Sequence, residues 1–146
     1  MSQPNRMQIT FAACPENESF ARVVIAAFAV RKNPTVGEMA DIKTAVSEAV
    51  TNAIVHGYPN ARGDVRMSAE ITPTGELTVE VADTGVGIPN IAQAMQPFFT
   101  TGPEEERSGM GFAVMQTFMD DVSVVSAAGA GTTVRMRKAI RAAAAV

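Results

Sequence analysis

A chain of 146 residues, 47% apolar and 18% charged, suits one hydrophobic core and leaves no room for two, so a single globular domain spanning 1–146 is expected. No stretch approaches the roughly 20 apolar residues of a membrane helix, and a net charge of −3 argues against broad binding to nucleic-acid phosphates. Cys14 is the sole cysteine, which excludes an internal disulfide or a cysteine-based metal cluster within one chain.

Met1 to Arg6 carry neither an apolar run nor a cleavage signature, so a cytoplasmic protein with a disordered start over 1–6 is expected. Met7 to Ala13 reads as a strand, because Gln8 and Thr10 alternate with Ile9 and Phe11 ahead of Pro15. A first helix over Glu16 to Val30 follows, and Pro34 stops it. Thr35 with Glu38 three residues on forms a capping box that opens a second helix to about His56, with Gly57 as its C-cap. Met39, Ile42, Val46, Ala49 and Ala53 recur at helical spacing and predict its core-facing stripe.

Val65 to Ile71 and Leu77 to Val81 alternate around Thr72-Pro73-Thr74-Gly75-Glu76 and predict a β-hairpin. Asp83 to Ser108 is irregular apart from a short helix expected around Ile91 to Met95, and loops of that length are uncommon unless functional. A helix from about Gly109 to Asp120 and strands over Val122 to Ser126 and Thr132 to Arg137 complete the pattern. The alanine-rich end from Arg141 is expected to be disordered. These elements predict an α+β, two-layer arrangement with a largely antiparallel or mixed sheet.

Glu48 and Asn52 are four residues apart and share one face of the second helix, with His56 one turn further on. Asn costs a helix several tenths of a kcal/mol relative to Ala, and a carboxylate at a core edge needs a partner. An amide oxygen suits Mg²⁺, which prefers hard oxygen ligands and keeps waters and phosphate oxygens around it. From these two residues alone, an exposed Glu beside a structural Asn fits equally well.

Asp83-Thr84-Gly85-Val86-Gly87 directly follows a strand. The Asp can accept a hydrogen bond from an adenine amino group, and Gly85 and Gly87 permit close backbone approach or positive φ; a plain structural turn is the competing reading. Ser108-Gly109-Met110-Gly111 opens a helix whose unsatisfied amides and dipole suit nucleotide phosphates, although Ser108 can equally be a simple N-cap. Gly129 to Thr133 re-enters a strand, where Thr132 can meet the base or merely close a turn. Neither a Walker-type Gly-x-x-x-x-Gly-Lys nor a Gly-x-Gly-x-x-Gly occurs.

The order of these four segments resembles the Bergerat, or GHKL, ATP-binding fold shared by gyrase, Hsp90, histidine kinases and MutL. Glu48 to His56 match its N box, Asp83 to Gly87 its first glycine box and Gly109 to Gly111 its second. That resemblance implies a two-layer α/β sandwich with helices on one face of a mixed, mostly antiparallel sheet, and an ATP lid in the long loop.

Almost the whole chain is similar to the anti-sigma F factors of spore-forming bacteria. The match runs through Asn17-Glu18-Ser19-Phe20-Ala21-Arg22, Ser47 to Ile54, Gln96-Pro97 with Phe99-Thr100-Thr101, and Glu106 to Phe112. It implies a homodimeric protein-serine kinase that binds and inhibits a sporulation sigma factor and phosphorylates a serine of an anti-anti-sigma protein, using ATP and Mg²⁺.

Carried over by motif, Glu48 is the expected catalytic base and Asn52 the Mg²⁺ ligand. Asp83 is the adenine contact, Arg107 in the lid the candidate sensor of the terminal phosphate, and Glu18 with Arg22 the partner-gripping pair. Gly85, Gly87, Thr100, Thr101, Ser108, Gly109, Met110, Gly111 and Thr132 complete the expected nucleotide site. Without the resemblance, Glu18 and Arg22 read as an exposed ion pair worth only about 0.3 to 0.5 kcal/mol.

Two positions depart from the pattern: Gly102 stands where close relatives are expected to carry lysine, and Thr84 where an acid is expected. The alternatives are a nucleotide-dependent binding module without phosphotransfer, a stress-response anti-sigma kinase, or a histidine-kinase ATP domain. The last lacks a separate phospho-acceptor helix.

Overall fold

The computed structural model describes residues 3–58, 63–87, 111–127 and 129–141. Its elements are β1 (Asn5–Ala12), α1 (Glu16–Ala29), α2 (Val36–Asn52), β2 (Asp64–Ile71), β3 (Glu76–Asp83), α3 (Gly111–Phe118), β4 (Asp121–Ala127) and β5 (Gly131–Ala139). The strands form one five-stranded sheet in the order β1-β2-β3-β5-β4, and every described pairing is antiparallel.

Period-two alternation turns Val65, Met67, Ala69 and Ile71 of β2, Leu77, Val79 and Val81 of β3, and Val134 and Met136 of β5 toward one side, where all are buried. The helices cover that side with Ala21, Ile25 and Ala29 of α1, Ile42, Ala45, Val46, Ala49 and Val50 of α2, and Phe112 and Met115 of α3. Ile25 and Ile42 are fully buried, so truncating either to Ala removes roughly 2 to 5 kcal/mol. The result is the two-layer α+β sandwich, with α2 in contact with both α1 and α3.

The capping box is complete: Thr35 Oγ1 accepts from the Glu38 amide at 3.0 Å, and Glu38 Oε1 accepts from the Thr35 amide at 2.9 Å. Glu38 Oε2 also accepts from the Arg141 amide at 2.7 Å, tying the second residue after β5 to the start of α2. Arg141 therefore does not belong to a free tail; 142–146 lie outside the described residues. Lys138 donates to the Phe118 carbonyl at 2.7 Å, satisfying the end of α3, and lies 3.6 Å from Asp41 on α2.

Two boundaries differ from the sequence reading. β1 starts at Asn5, inside the segment expected to lack order, because β2 is long enough to pair Asn5 with Ile71 and Arg6 with Glu70. α2 ends its regular turns at Asn52 and passes into a π turn, Ala53–Gly57. Gly57 has no positive φ and so is not the expected left-handed C-cap. The expected helix around Ile91 to Met95 lies outside the described residues.

Candidate functional site

The C-terminal half of α2 carries Glu48 and Asn52 at i and i+4, on the flank of the helix that meets the start of α3. Gly111, the first described residue of α3, sits directly against both. A Cβ built there would lie 3.1 Å from Asn52 Nδ2, 3.5 Å from Asn52 Oδ1 and 3.4 Å from Glu48 Oε2. A side chain there would require Asn52 to give way by a few tenths of an ångström.

Both polar side chains are half-buried. Burial pushes the Glu48 carboxyl above the ordinary glutamate range, and the nearby Glu18 carboxylate pushes it the same way. A carboxylate so placed is a better proton acceptor near neutrality than an exposed one.

Beyond Asn52, the π turn widens the backbone so that the Ala53 amide reaches both Ala49 and Val50 carbonyls. It delivers Gly57 to the end of β3. The Gly57 carbonyl accepts from the Val86 amide at 2.9 Å, and Gly85 packs so closely on Gly57 that a Cβ there would collide with the carbonyl. Gly87 has a φ of 78°, in the left-handed region.

Asp83 closes β3 with 9% of its surface exposed. Its Oδ1 accepts from the Gly85 amide at 2.9 Å, and the Thr132 amide across the β3–β5 ladder also donates to it. Burial raises the Asp83 carboxyl, while these two amides pull it partly back. Gly57 is needed here for space, since a Cβ on it would sit 2.8 Å from the Asp83 Cγ.

Thr132 is buried, and its hydroxyl is 2.7 Å from the Ser126 hydroxyl. The Gly129 amide donates to the Val86 carbonyl at 2.7 Å, fastening the β4–β5 turn to the loop after Asp83. Glu18 and Arg22, both partly buried, form an i,i+4 ion pair at 3.4 Å on the first half of α1.

The structure thus brings Glu48, Asn52 and Gly111 together, sets Asp83 and Gly85 against Gly57 with Gly87 in the same loop, and places Thr132 across the ladder from Asp83. Thr100, Thr101, Arg107, Ser108, Gly109 and Met110 lie outside the described residues, as does Gly102. Sequence reasoning missed Gly57 as the neighbour of Asp83, the Ser126 hydroxyl beside Thr132, and Tyr58, the chain's only tyrosine.

Among the described residues no cluster of three His, Cys, Asp or Glu side chains could hold a metal. The donor set that does exist, one amide oxygen beside one carboxylate, fits Mg²⁺, which takes few protein ligands and completes its shell with phosphate oxygens and waters. The described residues also contain no helix long and apolar enough to cross a membrane.

Residues 11–138 match the family model of the histidine kinase-like ATPase domain. An anti-sigma F factor from Thermoanaerobacter sp. (strain X514) is 56% identical over 140 residues, covering 96% of this chain and 97% of that protein. The structure of the RsbU and RsbW domains of a Mycobacterium tuberculosis protein superposes with a TM-score of 0.68 at 20% identity, covering 93% of this chain and 32% of that one. The histidine kinase domain of a blue-light activated kinase from Erythrobacter litoralis gives a TM-score of 0.58 at 20% identity, covering 88% of this chain and 63% of that one. These two likenesses concern the fold.

Proposed function

This chain belongs to the anti-sigma F factor family and carries the histidine kinase-like ATPase domain, and from that premise we propose that it is a cytoplasmic protein-serine kinase that also sequesters a sigma factor. The whole chain, 1–146, acts as one domain. Its phosphoryl donor is ATP, its acceptor a serine of an anti-anti-sigma protein, and its sequestered partner a sporulation sigma factor, with the working form a homodimer.

The observation that carries the reading is the juxtaposition of Glu48 and Asn52 against Gly111. The serine oxygen attacks the γ-phosphorus, the bond from that phosphorus to the β–γ bridging oxygen breaks, and ADP leaves. Glu48 accepts the proton from the hydroxyl, for which its raised pKa equips it. Asn52 would hold Mg²⁺, which supplies charge neutralisation on the β- and γ-phosphates. Positioning and electrostatics account for most of the acceleration in such transfers.

Asp83 accepts from the adenine amino group, with Gly85, Gly87 and Thr132 shaping the base pocket. Thr100, Thr101, Arg107, Ser108, Gly109, Met110 and Gly111 serve the phosphates. The Glu18–Arg22 pair grips the partner proteins, and its closeness to Glu48 sets that grip beside the transfer site.

Incubation with γ-labelled ATP and a cognate anti-anti-sigma protein tests the proposal. Acid-stable phosphoserine on the acceptor is the expected product; acid-labile phosphohistidine, or no transfer despite ATP binding, contradicts it.

A further inference from the structure

Tyr58 is the first residue after the π turn, and its side chain makes three polar contacts that the nucleotide reading leaves unused. Its hydroxyl donates to the Asp64 carbonyl at 2.9 Å and accepts from the Thr84 amide at 2.8 Å. It also lies 3.1 Å from the Thr84 hydroxyl. A phenol has one proton to give and two lone pairs to receive. With Asp64 taking the proton, the Thr84 amide and Thr84 hydroxyl fill both acceptor positions.

The ring itself lies against Gly63, where any Cβ would overlap it. The side chain is therefore held at its base by the π turn, along its ring by Gly63 and at its tip by Thr84. Thr84 is the residue next to Asp83, and the Gly57 carbonyl fastens Val86 two residues further on. Residues 57 and 58 thus grip the loop after Asp83 on both sides of Gly85. The helix that carries Glu48 and Asn52 continues directly into that grip.

We infer that Tyr58 is a positioning residue that fixes the Asp83 loop to the end of α2 and so sets the site's discrimination for a purine bearing a 6-amino group. The inference rests on the nucleotide reading of Asp83. Tyr58 touches no reacting atom; it acts through the Thr84 backbone. Removal of its hydroxyl leaves the Gly57–Val86 bond intact, and the exposed Thr84 and Asp64 groups take up water, so the loop loosens without the fold being lost.

The test is calorimetric binding of ATP and of inosine triphosphate, which has a carbonyl in place of the 6-amino group, to wild type, Tyr58→Phe and Thr84→Val. Tyr58→Phe is expected to weaken ATP binding by about three- to tenfold, the range of one hydrogen bond, and to leave inosine triphosphate binding and melting temperature unchanged. Thr84→Val, which keeps the amide, is expected to lose less, and Thr84→Ser to restore wild-type affinity. An unchanged ratio of the two affinities in Tyr58→Phe overturns the inference, whether both are unaltered or both fall together with the melting temperature. Wild type that binds ATP while the variant shows that result isolates the failure to Tyr58; wild type that binds no ATP sinks the nucleotide reading, and this inference with it.

Discussion

A methyl group on Gly111 would stand 3.1 Å from Asn52 Nδ2, tighter than ordinary packing, and 3.4 Å from Glu48 Oε2, at its limit, so the Asn52 side chain must give way by a few tenths of an ångström. Gly111→Ala is expected to separate activity from stability. Misplacing reacting groups by about 1 Å can cost on the order of 100-fold in rate, so the smaller shift forced here is expected to lower transfer by less than that, whereas Gly to Ala in a helix contributes up to about 1 kcal/mol of stability. A phosphotransfer assay alongside thermal melting checks this; equal activity in the variant would mean that the approach of α3 to α2 is not part of the site.

Asn52→Ala is expected to weaken Mg-dependent ATP binding by more than about tenfold, a loss of roughly 1.4 kcal/mol or more. The fold should be little affected, because Asn52 is half-buried at the end of α2 and Ala is the better helix former. Calorimetry with and without Mg²⁺ reads the effect, and unaltered affinity rejects the ligand assignment.

The pH dependence of stability follows from the raised Glu48 carboxyl. A group whose folded pKa exceeds its unfolded value contributes stability that is full below the unfolded pKa, ordinarily 4.5 here, and is lost as pH rises through the folded pKa. Glu48→Gln removes that loss, so its melting temperature relative to wild type is expected to be higher at about pH 8 than at about pH 4. Melts across this window decide it, and a gain confined to the acid side would show that burial does not govern this carboxyl.

Arg22→Ala breaks a partly solvated i,i+4 helix pair worth about 0.3 to 0.5 kcal/mol, so melting is expected to change little. Binding to the sigma factor is expected to weaken by about tenfold or more, as for an arginine anchor, with ATP affinity unchanged. Titration of each ligand separates the links, and parallel loss of both makes the residue structural.

Local chemistry was legible in the sequence wherever a few neighbouring residues decide it. Thr35 and Glu38 close their box because both partners lie within one turn, and Glu48 and Asn52 share a flank because helical spacing demands it. Gly57 was misread for the complementary reason: what it accommodates is the carboxylate of Asp83, 26 positions away, not a left-handed turn of its own. The same distance hid Tyr58, whose partner Thr84 is brought to it only by the β2–β3 hairpin. The strand over Asn5 and Arg6 escaped because polar residues on an edge strand show no alternation, and only the length of β2 extends the ladder to them.

The most direct test of the central claim compares wild type and Glu48→Gln in transfer of labelled γ-phosphate to the cognate serine, with ATP affinity measured on the same preparations. A general base contributes about 10²- to 10⁴-fold, so transfer is expected to fall by that factor while nucleotide affinity stays within a few-fold. Transfer by the variant within tenfold of wild type would contradict the role of Glu48 and the kinase mechanism built on it.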